Sequence, residues 1–400
     1  MAQKKLMLLG GIRYLLPAIE AAHKHGCHVI TVDYLPDNIA HKYSDEYHNL
    51  SILDKDAVLH LAQVLKIDGI LSYAVDPGVV TAAYVAEQMG LPFTCSYETA
   101  CILQDKSRFR QFLADNGFNV PNAKGYDNMD EAIKETEHFN WPVIVKPVDS
   151  AGSKGVSRVD NPDDLPKAIA HALEESHNGH YIIEDYLEKD GLSSGSESFY
   201  VDGELRYNAF YDQYFDVEAS NPYTPSAECW PSNKPESILN DVREQLQKVG
   251  HLLQFHTGLF NIEWRVSNGK VYLMEVSPRA GGNRLAEILN YATDVNIIEA
   301  EVSKAIGENM PNIHEPNYKG HYCILVLHSD RVGLFQNVEV STTFTGEVLE
   351  KEIRVKQGEL VESFAGANNA TGTLFLKFNT RQDMDDALLH QHEWVKVNVT

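Results

Sequence analysis

Two glutamates stand where solvated acids are out of pattern. The run Leu259-Phe260-Asn261-Ile262-Glu263-Trp264-Arg265 alternates like a strand, Asn268-Gly269 is a two-residue hairpin turn, and Lys270 to Val276 is the returning strand. Glu263 and Glu275 thus fall on the two arms of one hairpin, each flanked by apolar residues. Carboxylates held close raise each other's pKa unless a cation lies between them. Hard oxygen ligands on two strands suit Mg²⁺ shared with nucleotide phosphates. Ser277 and Arg279 continue the second arm, ahead of Gly281-Gly282-Asn283. An arginine at that place can hold a transferring phosphoryl group or an acyl phosphate.

Other segments add cationic and polar groups. Val143 to Lys146 is an apolar run that delivers a lysine to its end, and the loop after it holds Ser150, Gly152, Ser153, Lys154 and Gly155. Glycines let backbone N–H groups close around phosphate oxygens, although no GxxxxGK[ST] pattern is present. The competing reading is a hairpin loop with solvated lysines. Tyr181 to Leu187 runs an apolar strand into Glu184 and Asp185 and then Leu187, a segment that can offer backbone groups to an adenine edge. Glu197, in Gly195-Ser196-Glu197, can accept ribose hydroxyls; solvated acids at a strand end are the alternative. The stretch 207–232, with Tyr211, Tyr214, Tyr223, Glu228 and Trp230, reads as a strand and a long loop bordering an acceptor pocket. Arg284 is placed to hold a substrate carboxylate. The histidines lack HExxH-like spacing and read as packing or surface residues.

The elements that must position these groups follow from periodicity. Strands at 6–9, 28–32 and 69–75 alternate with helices at 14–24, 54–66 and 78–89, which predicts a small doubly wound parallel sheet. Its Gly10-Gly11 turn and Asp33 invite a dinucleotide, but the GxGxxG spacing is incomplete. A helix is expected over 98–116, carrying Lys106, and another over 236–256. Strands at 321–327 and 373–378 and a helix near 381–389 suggest a third unit. The expected domains are a Rossmann-like 1–97, a two-part nucleotide-binding 98–307 and an α+β 308–400, so the fold class is α/β with α+β.

Bulk composition bounds the partners. Lys and Arg total 34 against 57 Asp and Glu, a net charge of −23, which repels polyanions and argues against nucleic acid. The five cysteines are scattered without a CxxC pair, as in a reducing cytosol. No run approaches the ~20 apolar residues of a membrane span. A cytoplasmic protein with no membrane partner is expected.

The order Lys106, Lys146 with its glycine loop, Ile183-Glu184-Asp185-Tyr186-Leu187, Glu197, Glu263 and Glu275-Val276-Ser277-Pro278-Arg279 resembles the ATP-grasp superfamily, in the manner of carboxylate–amine ligases and carbamoyl-phosphate-synthase-like enzymes. The likeness spans roughly 100–305, and the N-terminal unit is similar to the domain that usually precedes it. The resemblance implies that Lys106 and Lys146 contact ATP phosphates with the loop Ser150, Gly152, Ser153 and Gly155. It implies that Glu184, Asp185 and Leu187 meet the adenine and Glu197 the ribose. Glu263, Glu275 and Ser277 would ligate one or two Mg²⁺ ions, with Mn²⁺ as a substitute, and Arg279 and Lys146 would be catalytic. The family usually has Asn at the place of Ser277. Arg284, Tyr211 and Trp230 are the substrate candidates. The implied reaction activates a carboxylate as an acyl phosphate and joins it to an amine, in the manner of an amino-acid or dipeptide ligase, with a homodimer common. Bicarbonate activation and an NAD(P) oxidoreductase on the N-terminal sheet are the alternatives.

Overall fold

The computed structural model describes residues 3–150, 152 and 154–400. Four parallel strands open the chain: β1 (Lys5–Leu9), β2 (His28–Asp33), β3 (Glu46–Asn49) and β4 (Gly69–Leu71), in the order β3-β2-β1-β4. Leu6 to Leu9 are buried without alternation, because helices cover both faces of a parallel sheet. Those helices are α1 (Leu16–Lys24), α2 (Lys55–Leu65) and α3 (Val79–Met89). The Gly10-Gly11 turn is filled by the chain itself: a Cβ on Gly10 would lie 2.9 Å from Val75, and one on Gly11 2.6 Å from Asn38. Asp33 accepts from Asn38 Nδ2 at 2.6 Å. The turn is therefore a packed scaffold turn.

The helix expected over 98–116 is two helices, α4 (Tyr97–Gln104) and α5 (Lys106–Asp115). Asp105 breaks it in an extended conformation and caps α5, its carboxylate accepting from Arg108 N. The break puts Lys106 at the start of α5. An antiparallel sheet follows, with β5 (Ala123–Tyr126), β6 (Val143–Pro147), β7 (Ser157–Val159) and β8 (Tyr181–Asp185) ordered β5-β8-β6-β7. It is backed by α6 (Met129–Lys134) and α7 (Leu165–Glu174), whose Leu165, Ile169 and Ala172 pack with Val143, Val145 and Ile183.

The remaining strands are β9 (Ser193–Val201), β10 (Glu204–Phe215), β11 (Pro225–Trp230), β12 (Gly258–Ser267), β13 (Lys270–Ser277), β14 (His321–Leu327), β15 (Gly333–Val340), β16 (Glu347–Ile353), β17 (Leu360–Val361), β18 (Gly372–Phe378) and β19 (Val395–Val399). Eight of them form one sheet, β13-β12-β9-β10-β11-β14-β18-β16; β17, β15 and β19 form another. Two expectations change here. The stretch 207–232 is a hairpin of two strands, because Pro225 to Trp230 pairs with β10 despite its mixed composition. The unit expected at 308–400 does not stand apart, since β14, β18 and β16 extend the central sheet. Helices α8 (Glu236–Leu252), α9 (Leu285–Ala292) and α10 (Ile297–Ala305) cover this assembly, and α10 packs on α1. Among the described residues no helix is long and apolar enough to cross a membrane.

Candidate active site

The β12–β13 register sets Glu263 directly opposite Glu275. A bulge follows immediately, with Met274 the extra residue on β13. Glu263 opens into a cleft of 350 Å³ that also borders Glu275, Met274 and Arg265. Enclosure by the cleft walls, and then repulsion from Glu275, push the Glu263 carboxyl upward.

The facing wall is cationic. Lys106 donates to Ser150 O at 2.8 Å and lies 3.8 Å from Glu275 Oε2. Lys146 Nζ is 2.7 Å from Glu184 Oε2, while the other Glu184 oxygen is 2.8 Å from Arg110 Nε. Burial pushes Lys146 down to about 8. Burial opposes ionisation of Glu184, yet Arg110 and Lys146 together hold it at about 2. One carboxylate thus serves two cations and leaves positive charge for an anion. Glu184 borders the cleft but is spent as this anchor. Ser150, Gly152 and Lys154 border the cleft from the loop. Gly155, at φ +67, packs on Pro147, where a Cβ would lie at 2.9 Å. Ser153 lies outside the described residues.

Arg279 is clamped from the N-terminal sheet. Its Nε and Nη2 donate to the two oxygens of Asp76 at 2.7 Å each, and Nη1 donates to Asn261 Oδ1 at 3.2 Å. Ser277 is fully buried; its hydroxyl donates to Asp76 Oδ1 and accepts from Gln104 Nε2, both at 2.9 Å. It is committed to this clamp and does not border the cleft, contrary to the ligand role expected of it. Asn261 stands opposite Ser277 in register and does border the cleft.

Several expected contacts fall elsewhere. Glu197 is enclosed: it accepts from Asn261 Nδ2 at 2.7 Å and from Gly281 N at 3.1 Å, and burial pushes it up to about 7. It supports the Asn261 corner instead of facing a ribose. Asp185 turns its carboxylate to Asn140, and its N–H donates to Asn122 O at 2.8 Å; Leu187 is half-buried, and Tyr186 borders the cleft beside Glu184. Arg284 is consumed by Glu287, at 2.8 Å, and Glu350, at 2.6 Å, and lies over the Phe375 ring. It is not free for a substrate carboxylate. Trp230 is a core residue that backs Tyr211, ring to ring at 5.0 Å, and donates to Ala209 O. Tyr211 does border the cleft. Its hydroxyl passes over Gly195, where any Cβ would collide with it.

Sequence reasoning did not single out Asp76, Arg110, Arg265, Gln213 or Asn283. Signals existed for two. Asp76 follows the C-terminal end of a parallel strand, where open α/β sheets place their sites. Arg110 lies one helical turn past Lys106 and so shares its face.

Residues 139–287 match the model of the ATP-grasp domain. The chain is 24% identical over 375 residues to the carbamoyl phosphate synthase large chain of Clostridium beijerinckii, covering 87% of this chain and 33% of that protein. It is 26% identical over 294 residues to that of Caldanaerobacter subterraneus subsp. tengcongensis, covering 68% and 25%. The chain thus spans about a third or less of the length of these curated relatives. Among solved structures it resembles the L-amino acid ligase from Bacillus licheniformis, with a TM-score of 0.81 at 17% identity, covering 100% and 99% of the two chains. The phosphoribosylglycinamide synthetase from Anaerococcus prevotii gives 0.76 at 18%, covering 100% of both. The matched segment, residues 139–287, is thus similar to an ATP-grasp domain, and the chain shares its fold with these two solved structures. Its relatives in sequence are carbamoyl phosphate synthase large chains.

Proposed function

We propose that the chain is an ATP-dependent ligase that activates a carboxylate as an acyl phosphate and joins it to an amine. The observation that carries this is the opposed Glu263–Glu275 pair facing Lys106, Lys146 and Lys154 across one cleft. The two glutamates fit a divalent cation: both are hard oxygen donors directly opposite one another on the cleft, and Lys106 Nζ lies 3.8 Å from Glu275. Bound there, Mg²⁺ or Mn²⁺ would screen the phosphate charges of ATP. With Ser277 committed to Asp76, the pair suits one ion.

The chain's own residues do the rest. The lysines draw in the triphosphate, and Arg279, held rigid by Asp76, steadies the charge that grows on the transferring phosphoryl group. A carboxylate oxygen attacks the γ-phosphorus and ADP leaves. An amine nitrogen then attacks the acyl carbon, phosphate leaves and the nitrogen loses its proton. Ser150, Gly152 and Lys154, which border the cleft, help to exclude water from the acyl phosphate. Bicarbonate is the rival acid, which the resemblance to carbamoyl-phosphate-synthase-like enzymes implies. A homodimer and a cytosolic location belong to the same reading.

The test is ADP release from purified protein with ATP and Mg²⁺, against amino acids singly and in pairs and against bicarbonate alone. The expected result is release that needs an acid and an amine together and falls at least 100-fold in E275Q. Release with bicarbonate alone selects the rival acid. No ADP in any arm, and no thermal shift with Mg²⁺ and ATP, overturns the ligase reading. Light scattering reads the oligomer.

A further inference from the structure

One carboxyl in the cleft has no use in the chemistry above. Glu228, on β11, borders the cleft yet is only 3% exposed. Its Oε1 accepts from Asn283 Nδ2 at 3.2 Å, and its Oε2 has no hydrogen-bond donor among the described residues. A buried carboxyl oxygen without a donor costs on the order of 1–3 kcal/mol, more if charged, so such an atom calls for a partner.

The surroundings are built around it. Asn283 Oδ1 accepts from the Tyr14 hydroxyl at 3.2 Å, and that hydroxyl accepts from Arg354 Nη1 at 3.2 Å. These bonds leave the Asn283 amide nitrogen aimed at Glu228. Asn283 and Arg284 hold φ of +50° and +67°, two successive left-handed residues without a glycine. Such strain persists where the surroundings enforce it, and it gathers at ligand sites. Gln213 lies directly opposite Glu228 on β10 and borders the same cleft.

Three cations of the active centre are engaged elsewhere: Lys146 with Glu184, Arg279 with Asp76, Lys106 with Ser150 and Glu275. Glu228 is also three strands across the sheet from Glu263, away from the metal pair. Burial, reinforced by Glu263, pushes the Glu228 carboxyl up to about 8, which a cationic neighbour would reverse. An anionic group here would meet two acids.

We propose that Glu228, positioned by Asn283, recognises a protonated amine, so that one substrate of this cleft is ammonium-bearing. The fate of that substrate rests on the ligase reading; its binding does not. The ammonium belongs either to the acid that is activated, which is then an amino acid, or to a separate amine acceptor.

Calorimetric titration of the full chain with Mg²⁺ and a non-hydrolysable ATP analogue tests this. The probes are L-lysine, L-alanine and β-alanine, with propionate as the des-amino counterpart of the two alanines, and the carboxyl-free amines ethylamine and putrescine. Wild type should bind at least one ammonium probe, and E228Q should weaken that binding at least 10-fold while the ATP analogue binds unchanged. E228D, which keeps the charge, should retain the preference for amine over propionate, and it carries the test if E228Q does not fold. Binding of amino acids without the simple amines assigns the ammonium to the acid; binding of simple amines assigns it to the acceptor. Both outcomes support the proposal. If no ammonium probe binds wild type, or if E228Q binds it as tightly, the proposal is overturned. ADP release is read separately, so failure of the ligase chemistry is distinguishable from failure of amine recognition.

Discussion

At the scale of single residues, the side chain on which most depends is Asp76. Its two oxygens take both the Nε and Nη2 donors of Arg279 and the hydroxyl of Ser277. Arg279 is 8% exposed, so its charge is balanced by this carboxylate and steadied by Asn261. Bidentate pairing fixes a guanidinium in plane as well as in place. In D76N one oxygen becomes a donor that faces a donor, and Arg279 must rotate to find another partner. The expected outcome is a fall in kcat for ADP release of about 100-fold, the lower end of the scale for losing one preorganised charge contact. The KM for ATP should change less than threefold, because the lysine wall is untouched. Steady-state kinetics separates the two, and a kcat within twofold of wild type would show that Asp76 does not position Arg279.

Among elements, the informative join is between helix α5, strand β8 and the bulge of β13. Arg110 is 3% exposed; it pairs with Glu184 on β8 and donates to Met274 O at the bulge. It therefore fixes Lys146, through Glu184, relative to the Glu263–Glu275 pair. R110M keeps the bulk and removes the charge, and breaking a buried pair in this way costs about 3–5 kcal/mol. The pH dependence has a definite sign. The Glu184 pKa falls from 4.5 in the unfolded chain to about 2, so its stabilisation is present above 4.5 and is lost as pH falls through 2. The gap in urea stability between R110M and wild type should be full at pH 7 and shrink below pH 4.5. A gap independent of pH would mean that lost packing, not the ion pair, is responsible. The same join shows what a sequence discloses. The hairpin was legible because Asn268-Gly269 marks its turn, but the turn's register alone sets Glu263 opposite Met274; the bulge at Met274, which no local pattern announces, brings the two acids opposite one another. The lysine wall was legible because Lys106 and Lys146 sit at element ends. The commitments of Ser277, Glu197 and Arg284 were not. Their partners include Asp76, Gly281 and, beside the local Glu287, Glu350; these lie far along the chain, and no local period encodes which distant group claims a given donor or acceptor.

For the molecule as a whole, the sheet decides how far it can be divided. The periodicity suggested a separate unit after residue 307, but β14 pairs with β11 along Ala227 to Trp230, with Glu228 opposite Ile324 and Cys229 opposite Cys323. The apolar cluster beneath joins Ala227 and Cys229 to Leu325, Leu374 and Leu376 from the C-terminal strands. Removing 308–400 would strip the hydrogen-bond ladder from one side of β11 and open that cluster to water. Exposed apolar strand edges invite pairing with other chains. Helix α10 draws the central segment onto α1 in the same way, and its Ile297, Ile298 and Val302 share one core with the N-terminal strands. Such sharing makes unfolding cooperative. The full chain is expected to unfold in urea as one transition, coincident by circular dichroism and by tryptophan fluorescence. A chain of residues 1–307 is expected to aggregate or to lack a cooperative transition, and to lose the ammonium-probe binding assigned to Glu228, whose strand β14 holds in place. If 1–307 instead unfolds cooperatively and keeps that binding, the boundary read from the sequence is a real domain boundary and β14 is dispensable to the site.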